Sequence, residues 1–240
     1  MKLTKETDPM GQALHDYIKY GQADKLRVCS SLFEEDEIPV KYLFRTETDM
    51  PPLELKALEL CKGRVLDVGA GSGCHSLALQ KRGMDVTAID ISSLSVEVMS
   101  HRGVHQVQTA DFMKDTLDTP YDTILLLMNG LGIAGTADKL PVLLKRSASL
   151  LRSGGYILAD STDLRYIFEE ENGNFDTSSF DHYYGEVDYF MKYKSCCGPR
   201  FKWLYADFGL LQKTAANCNL QAELIGKGTH YDYLARISRQ

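Results

Sequence analysis

The run Arg64-Val65-Leu66-Asp67-Val68-Gly69-Ala70-Gly71-Ser72-Gly73-Cys74-His75-Ser76-Leu77 constrains the fold more than any other stretch of the chain. A short apolar segment reads as a buried strand, and three glycines at alternate positions follow it at once. Leu77 and Leu79 then open a helical pattern. A strand, a tight turn and a helix N-terminus in this order mark the place where a doubly wound sheet takes hold of a nucleotide. Without Cβ atoms the turn can bend sharply and let a ligand lie against the main chain.

From this turn onward strands and helices alternate. A helix over about 76–82 stops at Gly83, and Val86-Thr87-Ala88-Ile89-Asp90 is an apolar strand ending in an acid. A helix with Leu94, Val98 and Met99 on one side ends at Gly103. A third strand over 104–109 leads to Ala110-Asp111-Phe112. The fourth, 121–128, is the longest apolar run and ends at Asn129-Gly130. A helix over 139–151 and a fifth strand over 156–160 follow. Continuous apolar strands are covered on both faces, as in parallel sheets, so the expected class is α/β.

Both flanks differ from this core. Met10, Leu14, Tyr17 and Ile18 recur at helical spacing, and a second helix is expected over 23–33, so 1–62 reads as a helical N-terminal extension. Residues 163–180 are acidic, with Asn172-Gly173-Asn174 as a turn. Residues 185–193 and 200–205 each alternate at period two across Cys196-Cys197-Gly198-Pro199, the pattern of an antiparallel hairpin. A helix over 207–216 and two strands around Gly226-Lys227-Gly228 close the chain as an antiparallel pair at the sheet edge. The expectation is one domain over 1–240: the extension, a core over 63–162, a hairpin insert over 163–206, and a final helix and strand pair over 207–240.

Composition narrows the class. The 240 residues carry a formal net charge of -6, and no Lys/Arg-rich run occurs, which argues against nucleic acid as a partner. No apolar stretch approaches the ~20 residues of a membrane span, and the N-terminus lacks the apolar core of a signal peptide. The six cysteines form no CxxC pair, so a cytoplasmic protein with reduced thiols is expected, without a metal centre.

The glycines select the ligand. A dinucleotide fingerprint requires GxGxxG/A, but position 74 is Cys and the turn is GxGxG. Asp67 inside the strand would add negative charge beside a pyrophosphate, whereas it suits a ligand with an ammonium end and no phosphate. Residues 65–73 resemble motif I of the class I S-adenosylmethionine-dependent methyltransferases, and the resemblance extends in order to residue 160. It implies a Rossmann-like, seven-stranded, mostly parallel sheet with the last strand antiparallel, and S-adenosyl-L-methionine as cofactor, leaving S-adenosyl-L-homocysteine as product. By the resemblance, Asp67, Gly69, Ala70, Gly71 and Gly73 hold the amino acid end of the cofactor, and Asp90 holds its ribose hydroxyls. Asp111-Phe112 and Ile91 flank its adenine on two faces, and Met128-Asn129 closes the floor. Local alternatives stand beside these roles: helix capping for Asp90, a turn for Asp111, plain core for Phe112 and Met128, and a structural role for His75.

The acceptor is less constrained. Asn129-Gly130-Leu131-Gly132 departs from the Asn/Asp-Pro-Pro-Tyr/Phe of enzymes that methylate amide or adenine nitrogens. A small-molecule acceptor is therefore expected. The alternatives are an RNA or protein acceptor, an NAD(P)-dependent oxidoreductase, or a non-catalytic cofactor-binding protein. Asn129, Tyr183 and Trp203 are candidates to line the acceptor site. Arg45 is a candidate to hold the cofactor's carboxylate or an acidic substrate, with packing under a solvated guanidinium as its alternative. Asp160 and Asp163 read as a helix cap and a surface loop rather than metal ligands.

Overall fold

The computed structural model describes residues 3–118, 120–169, 175 and 180–240. Among these, the chain opens with α1 (Pro9–Tyr20), β1 (Leu26–Ser30), β2 (Asp36–Ile38) and α2 (Pro52–Leu60). The alternating core is β3 (Arg64–Val68), α3 (Cys74–Lys81), β4 (Asp85–Asp90), α4 (Ser93–His101), β5 (Gln106–Thr109), β6 (Tyr121–Leu126), α5 (Leu140–Leu150) and β7 (Leu151–Thr162). Then come β8 (Glu186–Tyr193), β9 (Cys196–Cys197), β10 (Phe201–Leu204), α6 (Phe208–Asn217), β11 (Leu220–Lys227) and β12 (Asp232–Arg239).

The main sheet has seven strands in the order β11-β12-β7-β6-β3-β4-β5. β12 runs antiparallel to both β7 and β11, and every other pairing is parallel. This is the expected Rossmann-like sheet. The strand order reverses at β3, between β4 and β6, so the carboxyl ends of these strands open a crevice there. One face is covered by α5 and α6 through Leu143, Leu144, Leu211 and Ala215, all fully buried. The other is covered by α2 and α3 through Ala57, Leu58 and Leu79. The expected start of the fifth strand moves: β7 begins at Leu151 and runs through Gly154-Gly155, with a register shift against β6 between Tyr121 and Thr123.

The N-terminal extension is not all helical. Residues 23–33, expected as a helix, form β1. Leu26 and Cys29 are its buried residues, and a three-residue spacing mimics a helical face. The strand instead lies between β2 and β8, with Leu26 opposite both Ile38 and Tyr193. The hairpin forms as expected, Phe201 opposite Tyr189 and Leu204 opposite Glu186. It is not an isolated insert, because β10, β8, β1 and β2 make a second sheet, with β9 paired to β8. The expected turn at Asn172-Gly173-Asn174 lies outside the described residues.

Candidate active site

The glycine turn folds as its spacing requires. Gly69, Gly71 and Gly73 have φ of 70°, 58° and 81°, the left-handed region that side chains disfavour. The amides of Gly69 and Ala70 both donate to the Ile89 carbonyl, at 2.9 and 3.0 Å, which ties the turn to the end of β4. The glycines then divide their work. A Cβ on Gly73 would press on Val104 and Met99, at 2.9 and 3.0 Å, so this glycine serves helix-to-sheet packing. Among the described residues, a Cβ on Gly71 would meet nothing within 4 Å, so the main chain there faces open space.

Asp90, at the end of β4, accepts from the amides of Gly71 at 2.9 Å and Ser92 at 2.8 Å. Burial pushes its carboxyl up to about 6 against the pull of those two amides. The cap of α4 is Ser92, whose hydroxyl also donates to Asp8, the cap of α1. Asp90 is thus not a helix cap. Beside it Ile91 is 39% exposed, and Met128, at the end of β6, is 40% exposed. Asp111 accepts from the Met113 amide at 3.0 Å and pairs with Lys114 at 3.1 Å. Phe112 is buried in the main core, with the Arg146 guanidinium 5.7 Å from its ring centroid.

Asp67 is buried on β3 and accepts from the Ser76 hydroxyl at 2.6 Å; burial raises its carboxyl above the ordinary range. Nearby lies a group that sequence reading missed. Glu54 accepts from Arg45 Nε at 3.1 Å and from Nη2 at 2.8 and 2.7 Å, and its Oε2 lies 2.9 Å from His75 Nε2. Burial opposes ionisation of Glu54, but His75 and Arg45 outweigh it and hold the carboxyl below its ordinary value. Arg45 is therefore neither solvated nor free for a ligand carboxylate: it is buried, paired through two nitrogens, and lies over the Tyr42 ring. Glu54 had a signal of its own, since Glu54, Ala57 and Leu58 form one buried stripe on α2.

Asp160 also departs from expectation. It is neither a helix cap nor a loop residue, but sits in β7 and accepts from the amides of Met128 at 3.1 Å and Gly130 at 3.2 Å. Those bonds hold Met128 and Asn129 at φ of 63° and 57°, an uncommon conformation for residues other than glycine. Burial pushes the Asp160 carboxyl up to about 7. Asn129 in turn accepts from the Thr162 hydroxyl at 2.8 Å. Asp163 does cap a short turn, accepting from the Arg165 amide at 2.9 Å.

A cavity of about 470 Å³ opens over this floor. Asn129, Met128, Asp160 and Thr162 line it from below, Glu54 and Tyr42 from one side, and Tyr189, Tyr205 and Asp232 from others. Tyr183 and Trp203 do not line it. The Tyr183 hydroxyl donates to the Asp207 carboxylate at 2.6 Å, and Trp203 lies against Gly132, where any Cβ would collide with the indole. Tyr189 and Tyr205 take the lining role, their hydroxyls 3.1 Å apart. Among the described residues no group of three or more His, Cys, Asp or Glu side chains could hold a metal, and no helix is long and apolar enough to cross a membrane.

The family model described as a methyltransferase domain matches residues 65–155. A crystal structure of a SAM-dependent methyltransferase from Bacteroides fragilis, in complex with S-adenosyl-L-homocysteine, is 51% identical. The match covers 100% of this chain and 98% of that one, with a TM-score of 0.94. A cypemycin N-terminal methyltransferase from Streptomyces sp is 33% identical over 103 residues, 41% of this chain and 42% of that protein. A 23S rRNA (uracil(747)-C(5))-methyltransferase from Pyrococcus horikoshii is 44% identical over 57 residues, 23% of this chain and 14% of that protein. The chain thus spans less than half the length of these two curated relatives. Near-complete coverage at 51% identity, on the strand order and glycine turn described above, places the chain in the family of S-adenosylmethionine-dependent methyltransferases.

Proposed function

We propose that the protein transfers a methyl group from S-adenosyl-L-methionine to a small-molecule acceptor. The observation that carries this reading is the open space beside Gly71, whose amide donates to the Asp90 carboxylate at 2.9 Å, at the same end of the sheet as the cavity over Asn129. The residues present fit such a cofactor. Asp67 would face its ammonium, the main chain of Gly69 to Gly71 its amino acid end, and Asp90 its ribose hydroxyls. Ile91 and Met128 offer exposed apolar surface for the adenine, with Asp111 at its rim; Phe112 supports that rim from the core. When bound, the cofactor supplies an activated methyl on a sulfonium, so the protein's task is orientation and exclusion of water.

The acidic cavity fits no phosphate backbone, since among the described residues neither Lys nor Arg lines it. The match to the cypemycin N-terminal methyltransferase supports an acceptor other than nucleic acid. Calorimetry with S-adenosyl-L-homocysteine tests the reading. The wild-type chain is expected to bind it and to ignore NAD. Asp90→Ala is expected to weaken binding by about 1.5–3 kcal/mol, the scale of a hydrogen bond to a charged group. Binding of NAD without S-adenosyl-L-homocysteine would overturn the proposal.

A further inference from the structure

The cavity over Asn129 has a chemical bias that the cofactor does not need. Among the described residues, three carboxylates line it from three separate elements: Glu54 on α2, Asp160 on β7 and Asp232 on β12. The described lining includes no Lys or Arg, and its one imidazole is His230. Four phenol rings complete the walls, Tyr42, Tyr166, Tyr189 and Tyr205; the Tyr166 ring is braced by stacking on Tyr231 at 4.8 Å. Burial pushes the Tyr42, Tyr189 and Tyr205 hydroxyls up, so these rings add faces rather than charge.

Glu54 is already offset by Arg45 and His75, but among the described residues Asp160 and Asp232 accept only from backbone amides, so an anionic acceptor would meet repulsion from both. A neutral hydroxyl compound would bring no charge to offset these two carboxylates in a confined space. An ammonium is complementary to both features, because carboxylates pair with it and phenol faces attract it. We propose that the acceptor is an organic amine, held as its cation by Asp160 and Asp232 among the tyrosine rings and methylated on nitrogen. The proposal rests on the methyltransferase reading above and names the substrate class for that same site.

The bound ammonium passes one proton to the Asp160 carboxylate, which frees the nitrogen lone pair. That lone pair forms the new C–N bond as the C–S bond of the sulfonium breaks, its electron pair staying on sulfur. The products are an N-methylammonium and a neutral thioether. Burial readies Asp160 for this proton near neutral pH. The groups facing it are Glu54 on α2, His75 on α3, Tyr42 before α2, Tyr233 on β12 and the amides of Met128 and Gly130.

The test uses the full chain saturated with S-adenosyl-L-homocysteine. Benzyltrimethylammonium, tyramine and putrescine are titrated against phenylacetate and 4-hydroxyphenylacetate by calorimetry. At least one cation is expected to bind while neither carboxylate does. Asp232→Asn is expected to weaken that cation by about tenfold or more with S-adenosyl-L-homocysteine affinity unchanged. Tyramine turned over with S-adenosyl-L-methionine should carry the new methyl on nitrogen, not on the phenol oxygen. If S-adenosyl-L-homocysteine fails to bind, the methyltransferase reading falls and this proposal with it. If it binds but no cation follows, or a carboxylate binds instead, or Asp232→Asn changes nothing, the amine proposal alone is overturned.

Discussion

Gly71 and Gly73 show how one motif carries two separable functions. Both are left-handed, but only Gly73 has protein atoms against the position of its absent Cβ. Gly71→Ala should therefore fold, at a cost of roughly 1–2 kcal/mol for the left-handed backbone. Its methyl would stand where the ligand is expected, so S-adenosyl-L-homocysteine affinity should fall by about tenfold or more, measured by calorimetry beside a melting curve. A variant that keeps full affinity would remove the turn from the binding site. Residues at strand ends were legible here: Asp90 ends the apolar run of β4 and Asp111 stands just past β5, and a strand end has a known address in a parallel sheet. Glu54 and Asp160 were less so. Burial of a carboxylate depends on partners that the local pattern does not show, such as Arg45 and His75 for one and two backbone amides for the other.

At the scale of elements, the alternating core was readable because its signals are local: an apolar run, a turn residue and a helical stripe. The strand β1 was not, because what makes it a strand is β8, contributed from far along the chain. Its five residues have two inward positions spaced like a helix turn, and only pairing on both edges decides the outcome. The period-two pattern of 185–193 and 200–205 marks a hairpin, but nothing local to it shows that its other edge takes up the N-terminal segment. Leu26 is fully buried between the second sheet and α1, with Tyr193 beside it. Leu26→Ala should cost about 2–5 kcal/mol in urea unfolding. Because Tyr189 and Tyr205 hang from the same sheet, a loosened β1 should also weaken occupancy of the cavity before it disturbs the glycine turn. Equal losses at both places would show that the second sheet is not a separate support for the cavity wall.

Across the whole molecule, the carboxyl ends of the main sheet collect buried acids. Burial raises Asp67, Asp90 and Asp160 above the ordinary value of 3.8, Asp90 to about 6 and Asp160 to about 7. Between about pH 4 and 7 the folded chain keeps protons that the unfolded chain has already released, so stability falls as pH rises through this window. Glu54, held below 4.5 by His75 and Arg45, works in the opposite sense and loses its contribution only as pH drops further. The ligand-free protein should accordingly melt higher near pH 5.5 than near pH 8, and Asp160→Asn should flatten that decline. A melting temperature that rises steadily to pH 8 would contradict this distribution of charge.

Trp203 is the chain's one tryptophan, and its indole lies on Gly132 in the 3-10 turn that begins directly after Asn129. The floor of the cavity and the only strong ultraviolet emitter of the protein are thus one short mechanical unit. A ligand seated on Asn129 should therefore shift the Trp203 emission, an optical gauge of occupancy that needs no label.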